Sequence, residues 1–545
     1  MGNIYKEGQN RKQQMFFPPS IDEYVNEENP VRAIDAYVEI LDVAALGFTK
    51  AALNSSDGQP AYHPKLLLKI YIYGYLNRIR SSRKLEAESK RNIEMMWLCA
   101  GLYPSYKTIA DFRKENSKAL KRVFREFVLL CKEIELIDGK LIAIDGAFLR
   151  ANASKNQLIT KKTVEKDLKA IDAKIEEYIK ALEFADASEK KEKNLKPPKD
   201  DLTGMKKRKA RLDKELALLE EMGVTQYNRT DPDAKLMVKP AHNLMAYNAQ
   251  IAVDSKYKFI VATDVSSDKD IDKLYEMSKQ SKKATQNDAM VLTADAGYYN
   301  PKEIKKCEDA NIEVFVPSID RSYGQRSKGK FTRDAFIYQS GTDTYLCPNH
   351  QYLTRGSATQ HKNGKLNHVY QGDSKMCKAC PLRSECLPDQ TPFKKLFRWE
   401  HEGIIEQYLE KMDTDQAKEM MKQRAALCEH PFGTIKRALG WDHFLVRSKE
   451  KVSGENALIM FTYNFKRLIN LIGISLFKKL VNAIKEGNIE AIREEIAAYI
   501  AHFRLYLDDF LLLFRYMALL EKNLYIKADS GREGVCSFTL SSAWE

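Results

Sequence analysis

At 545 residues, 44% of them hydrophobic, the chain is long enough for two to four domains with apolar cores. Its 88 Lys and Arg against 75 Asp and Glu leave a formal net charge of +13, which favours a polyanion as partner. No apolar stretch reaches the length of a membrane span, since even 458–476 is interrupted by Lys466 and Arg467, and nine cysteines in one tight group and scattered singles fit a reducing cytoplasm better than a disulfide framework.

The opening residues lead into polar and basic positions rather than the apolar core of a signal peptide. Residues 1–137 read as an all-helical unit. Pro64 suits the first position of a helix that runs on through Tyr75. A polar break at Ser81-Ser82 precedes a second helix with Leu85 and 93–98. Tyr103-Pro104-Ser105 then separates a third, where Thr108 and Asp111 have capping-box spacing ahead of an amphipathic run to Leu136. Short helices with tight breaks, carrying Arg78, Arg80, Arg83, Lys84, Lys90, Arg91 and, further on, Arg113, resemble a helix-turn-helix reader of double-stranded DNA. The bland alternative is a packing domain with a solvated basic face.

From residue 138 the pattern changes. The apolar run 141–144 ends in Asp145-Gly146. Val164, Leu168, Ile171, Ile175, Tyr178 and Leu182 then alternate gaps of four and three, a coiled-coil seam. The stretch 196–200 breaks it, and Met205, Leu212, Leu216 and Leu219 resume the spacing. This predicts an antiparallel helical hairpin inserted over 156–225, with balanced charge, serving as a solvated pair, a clamp or a dimerisation arm. Strands follow at 244–253 and 259–263, then a helix over 271–284, a strand ending in Asp295, a helix over 301–310 and a strand over 312–317. Without the insert this is an α/β fold: a mixed five-stranded sheet with helices for both faces, in ribonuclease H-like order. The expected division is a leading core segment at 138–335, a Cys-rich insertion at 336–392, a closing core segment at 393–475, and a helical C-terminal region with a tail at 476–545.

Asp145 and Asp295 each end an apolar run, and Glu429 lies in a helical, basic stretch with Arg424, Lys436 and Arg437. Two acids at strand tips and one on a helix can converge on a pair of hard divalent cations, magnesium or manganese, which prefer oxygen ligands and serve phosphoryl transfer. Lys436 and Arg437 would hold a phosphate beside them. Cys347, Cys377, Cys380 and Cys386 have the count and the CxxC turn for one structural zinc, with His350 as a substitute ligand; unrelated cysteines or a redox CxxC are the alternatives. Tyr298 and Tyr299 either stack on a base or pack, and Trp441 either wedges beside a flipped base or packs in the core. His242, His401 and His443 are singles and read as structural.

Several ordered segments carry a resemblance. They are Phe16-Phe-Pro-Pro-Ser20 with Asp22; Thr108-Ile-Ala-Asp-Phe-Arg113; Ile144-Asp-Gly146 with Ala151-Asn-Ala-Ser-Lys155; and Thr230-Asp-Pro-Asp-Ala234. Further on come Tyr247-Asn-Ala-Gln250 with Ala252-Val-Asp254, Ala294-Asp-Ala-Gly-Tyr298, Cys377-Lys-Ala-Cys-Pro-Leu382, Glu429-His-Pro-Phe-Gly-Thr-Ile-Lys436 and Asn464-Phe-Lys-Arg467. From about residue 10 to about 475 the chain resembles DDE transposases of bacterial insertion sequences, within them the group numbered eleven-eighty-two. The resemblance implies that Asp145, Asp295 and Glu429 bind two magnesium ions in a ribonuclease H-like core. It also implies that they nick DNA at the element's terminal inverted repeats and join the freed 3′ hydroxyl to target DNA. A homodimer on DNA in a bacterial cytoplasm goes with that reading. Related transposases carry a Tyr, Arg, Glu, Lys signature around the last acid. Here Glu429 and Lys436 keep its final spacing, Arg424 lies one residue too far away, and Met421 stands where the Tyr would fall. The rival expectations are a catalytically idle, domesticated DNA-binding protein and a nuclease lacking strand transfer.

Overall fold

In a computed structural model of the chain the described residues are 20–51, 60–188, 202–238, 243–319, 324, 327–362, 364–503 and 505. Residues 16–19 of the first motif, the break at 196–200, His242 and the expected C-terminal helix and tail beyond 505 lie outside them. Six helices come first: α1 (Pro30–Ile40), α2 (Pro64–Leu76), α3 (Ser82–Arg91), α4 (Ile93–Leu98), α5 (Tyr106–Glu115) and α6 (Ser117–Glu133). α2 begins at Pro64 as the sequence indicates, with the His63 ring accepting from the Lys65 N–H. The third helix differs from expectation. Ser105, not Thr108, caps it, and the run to Leu136 is split at Asn116. There the Asn116 side chain accepts from the Thr49 N–H and hydroxyl and donates to the Phe112 carbonyl, and α6 starts afresh.

The predicted hairpin follows. β1 (Leu141–Arg150) leads to β2 (Leu158–Thr160), α7 (Lys161–Ser188), α8 (Leu202–Glu221) and β3 (Gln226–Asn228). Val164, Leu212, Leu219 and Tyr227 form its seam, and β2 pairs antiparallel with β3 at its base. The chain continues as β4 (Lys235–Val238), β5 (Asn243–Asp254), β6 (Ile260–Ser266), α9 (Leu274–Thr285), β7 (Val291–Thr293), α10 (Pro301–Asp309) and β8 (Glu313–Phe315).

The main sheet runs β6-β5-β1-β7-β8, antiparallel across β6, β5 and β1 and parallel across β1, β7 and β8. It has six strands rather than the expected five. β5 is long enough to pair with β6 along one half and with β4 at its start, from Lys235 opposite Ala246 to Val238 opposite Asn243. β1 also departs from expectation, because β5 holds it in register from Ile142 to Arg150 whereas β7 pairs only Leu141–Ala143. Asp145 therefore sits mid-strand, beyond the end of its parallel neighbour.

A separate antiparallel sheet then forms from β9 (Ile337–Gln339), β10 (Thr344–Leu346), β11 (Tyr352–Lys362), β12 (Lys365–Gln371) and β13 (Lys395–Trp399), with α11 (Ser374–Lys378) and α12 (Arg383–Cys386) between its last two strands. Phe336, Tyr345, Leu353, Tyr370 and Leu396 give it a small core of its own. β13 carries this unit past the expected limit at 392. α13 (Glu402–Met412), α14 (Asp415–Gly433) and the long α15 (Lys449–Glu486) complete the numbered elements.

α15 is buried on every side from Val452 to Phe465, as a helix packed between layers must be. It touches α1, α2, α5 and α6 on one hand and β6 on the other. The N-terminal helices and the sheet consequently share one continuous hydrophobic core, so the helices described between residues 20 and 137 do not have a core of their own. α15 also bends at Gly473 (φ 75°) and crosses the expected boundary at 475. Among the described residues no helix is long and apolar enough to cross a membrane.

Candidate active site

The parallel register sets the first two acids side by side. Ala143 lies opposite Thr293, and two residues further each chain reaches its carboxylate. β7 has ended there, and Asp295 caps the turn Ala296–Tyr298, its Oδ1 accepting from the Gly297 N–H at 2.9 Å. Asp145 Oδ1 accepts from the Gly146 N–H at 2.8 Å. α14 supplies the third acid, since Leu427 and Cys428 pack on Leu141 and Ala143 of β1 and the next residue, Glu429, is exposed. Asp145, Asp270, Glu429, Phe432, Lys436 and Arg437 line one open cleft of about 450 Å³. Pro431 does not stop α14, but after Gly433 the helix widens into a π-turn over Thr434–Ala438, a distortion common at functional sites. Lys436 and Arg437 are thus carried into the cleft by that turn rather than by a continuous α-helical face. The Lys436 ammonium lies 5.4 Å from the Phe432 ring. A larger cleft, about 700 Å³ between α6, β6, α9 and α15, is lined by none of the predicted site residues.

Burial pushes the Asp145 carboxyl up to about 6, aided by the Asp295 and Asp270 charges and opposed by the Gly146 N–H and Arg424. Asp295 is also raised, by burial first and then by Asp270, with Arg424 and the Gly297 and Tyr298 N–H groups holding it down. Crowded carboxylates of this kind attract cations. Arg424 partly offsets them, and its Nε is buried with no hydrogen-bond partner.

Asp270 is the residue the sequence reading missed. It stands in the polar run Ser266-Ser-Asp-Lys-Asp270, which reads as an ordinary turn. Its Oδ1 accepts from Asn248 Nδ2 at 2.8 Å and Gln250 Nε2 at 2.6 Å, and the Tyr298 hydroxyl donates to Gln250 Oε1. A signal was present in Tyr247-Asn-Ala-Gln250, where alternation puts two buried amides on one face of a strand. Oxygen-only donors suit magnesium or manganese. Gly297 keeps the space between two of them open: a Cβ there would lie 3.0 Å from Asp295 Oδ1 and 3.6 Å from Asp270 Oδ2. Among the described residues, no three His, Cys, Asp or Glu side chains form a group able to hold a metal ion, which holds for these acids and for the four cysteines alike.

The remaining predicted residues divide. Arg78, Arg83, Lys84 and Arg91 are exposed, with Arg83 over the Tyr106 ring and Arg91 paired to Glu88 in its own helix. Arg80 and Arg113 correct the expectation of phosphate contacts. The Arg80 guanidinium donates to the Gly440 and His443 carbonyls and lies 4.3 Å from the Trp441 ring. Arg113 is 6% exposed and pairs with the fully buried Glu455 at 3.4 Å. Both are consumed by joining the N-terminal helices to the rest of the chain. Trp441 packs rather than wedges: it is fully buried and stacks on Tyr75 at 3.9 Å. Tyr298 is fully buried and so packs rather than stacks on a base, and Tyr299 is half-buried against the core. His443 accompanies Asp442 at 2.6 Å, and His401 lies edge-on to Trp399.

Cys347, Cys377, Cys380 and Cys386 are free thiols around one small cavity beside the second sheet. The Cys347 sulfur accepts from the Gln351 N–H. Burial raises the Cys386 thiol, Lys394 lowers it, and the other three cysteines add to the rise. His350 is exposed and is not among the residues lining the cavity.

Two family models match the chain. Residues 19–115 match one described as Transposase domain (DUF772), and residues 346–469 match one described as Transposase DDE domain. The first spans α1 to α5, and the second spans the four cysteines, Glu429 and Lys436. No curated protein and no solved structure matches.

Proposed function

The chain belongs to the DDE transposases of insertion-sequence type, and on that premise we propose that it binds the terminal inverted repeats of its element and carries out strand cleavage and strand transfer at the Asp145, Asp295 and Glu429 cleft. The observation that carries this reading is that Asp145 of β1 and Glu429 of α14 line one opening with Lys436 and Arg437, while Asp295, just past β7, lies near enough to Asp145 to raise its carboxyl. The strand order β6-β5-β1-β7-β8 supports a ribonuclease H-like core, and the ordered motifs favour the group numbered eleven-eighty-two.

Asp145, Asp295 and Glu429 are the residues that would hold two divalent ions. When bound, such ions activate an attacking oxygen and neutralise a leaving one. The chain's own groups do the rest. Lys436 and Arg437 grip the phosphates beside the scissile bond, Arg424 tempers the repulsion among the acids, and the sheet fixes Asp145 and Asp295 in register. Water cleaves the phosphodiester to leave a 3′ hydroxyl, which then attacks a target phosphodiester and displaces its 3′ oxygen. Arg78, Arg83, Lys84 and Arg91 contact DNA phosphates, the four cysteines are the residues that would hold one structural zinc, and two copies act together because two element ends must be joined. A cytoplasmic site of action accords with this chemistry.

Incubating the full chain with end-containing DNA and magnesium tests the proposal. Nicks with joined products support transposition, nicks alone would indicate a nuclease, and bound but intact DNA would indicate a regulator. Asp295→Asn should lower cleavage by at least about 1,000-fold, some 4 kcal/mol of barrier, and leave DNA affinity within about twofold. Retained cleavage would remove Asp295 from the centre.

A further inference from the structure

We propose that Asp270 is a fourth metal-binding carboxylate of this centre, an inference that rests on the two-ion reading of the cleft. Asp270 lines the cleft with Asp145 and Glu429 but comes from the turn after β6, an element that reading does not use. Its two oxygens have separate duties. Oδ1 is tied to the amides of Asn248 and Gln250. Oδ2 has no hydrogen-bond partner among the described residues and faces the same open space above Gly297 as Asp295 Oδ1. One oxygen is anchored and the other presented, which is how an outer amide shell orients a metal ligand.

The seat for Asp270 is built at the expense of side chains. A Cβ on Gly146 would lie 2.4 Å from Asp270 Oδ1, 2.5 Å from Gln250 Nε2 and 2.9 Å from Asn248 Oδ1, so a side chain after Asp145 would force the carboxylate or its two amides to shift. Asn248 is fully buried, yet its Oδ1 has no partner. An orphaned acceptor at that depth is costly, and here it borders the same cradle as the anchored carboxylate. Both features suit a cation or its coordinated water arriving beside Asp270. A purely structural Asp270 would explain the amide bonds but not the orphaned acceptor of Asn248.

The test is manganese binding to the full-length protein by titration calorimetry, without DNA, for the parent, Asp270→Asn and Asp295→Asn. Asp270→Asn keeps an oxygen for the two amides and places an NH₂ where Oδ2 stood. The expected result is at least about a 10-fold loss of affinity in both variants, with Asp270→Asn melting within a few degrees of the parent. Parent-like binding by Asp270→Asn with weakened binding by Asp295→Asn overturns the Asp270 assignment and leaves the centre standing. Parent-like binding by both overturns the two-ion reading, and Asp270 with it. Should Asp270→Asn fail to fold, Asp270→Cys decides. A thiolate serves magnesium poorly and softer ions better, so its cleavage of end-containing DNA should fall at least about 10-fold further with magnesium than with manganese. An equal fall with both ions overturns the proposal.

Discussion

Asp145 and Asp254 lie on neighbouring strands and are both pushed up to about 6 by burial, yet their employment differs. Asp145 opens on the cleft. Asp254 is fully buried, and its oxygens accept from the Gly139 N–H at 2.8 Å and the Lys256 N–H at 3.0 Å. It fastens the chain entering β1 to the hairpin leaving β5, which gives the Ala252-Val-Asp254 motif a structural meaning. Because its folded-state value lies above the ordinary carboxylate value of 3.8, the protonated form suits the fold better. The stability it contributes is complete below about pH 4 and is lost as pH rises through about 6. Melting the parent and Asp254→Asn in parallel from pH 4 to pH 7 should therefore show the parent losing ground to the variant by up to about 3 kcal/mol. A difference that stays flat, or grows in the parent's favour, would mean that the two N–H groups outweigh burial.

The elements were legible wherever the information was local. Apolar runs bounded by turn residues located β5, β6, β7 and β8, and the alternation of gaps located α7 and α8 on one seam. What escaped was settled by distant partners. β4 is only four residues long and exists because β5 has a free edge to offer. The break before α6 depends on Thr49, 67 residues away. Asp270 has nothing distinctive beside it in the chain, and its contacts form only when Gly146, Asn248 and Gln250 are folded around it. The cysteine segment shows the opposite case. Spacing alone grouped Cys347, Cys377, Cys380 and Cys386, and the folded chain sets them around one cavity, although the antiparallel sheet beside them was not foreseen. One zinc per chain is expected by metal analysis of the purified protein. Cys380→Ser should release it and make the 327–399 unit the first region cut by protease, since its own core is only five buried side chains. Folded, protease-resistant protein without zinc would dismiss the site.

At the scale of the whole molecule, the N-terminal helices and the sheet are locked together rather than strung on a linker. Glu455, in the fully buried stretch of α15, accepts at Oε1 from the Tyr75 hydroxyl at 3.2 Å and Arg113 at 3.4 Å, and at Oε2 from the Leu445 and Val446 N–H groups at 2.8 and 3.1 Å. Thus α2, α5, α15 and the segment following the cleft's π-turn meet on one carboxylate. Removing one member of such a buried pair strands the other, at about 3–5 kcal/mol. Arg113→Met should accordingly lower stability by that order, as a single cooperative transition because the core is continuous. DNA binding gives the contrasting readout. A phosphate contact contributes close to one unit to the slope of log affinity against log salt, so Lys84→Ala, which removes an exposed cation of α3, should flatten that slope. Arg113→Met, assayed below its melting temperature, should leave the slope as it was. A near-parent melting curve combined with a flattened slope would put Arg113 back on the DNA and undo the account of how the two halves are joined.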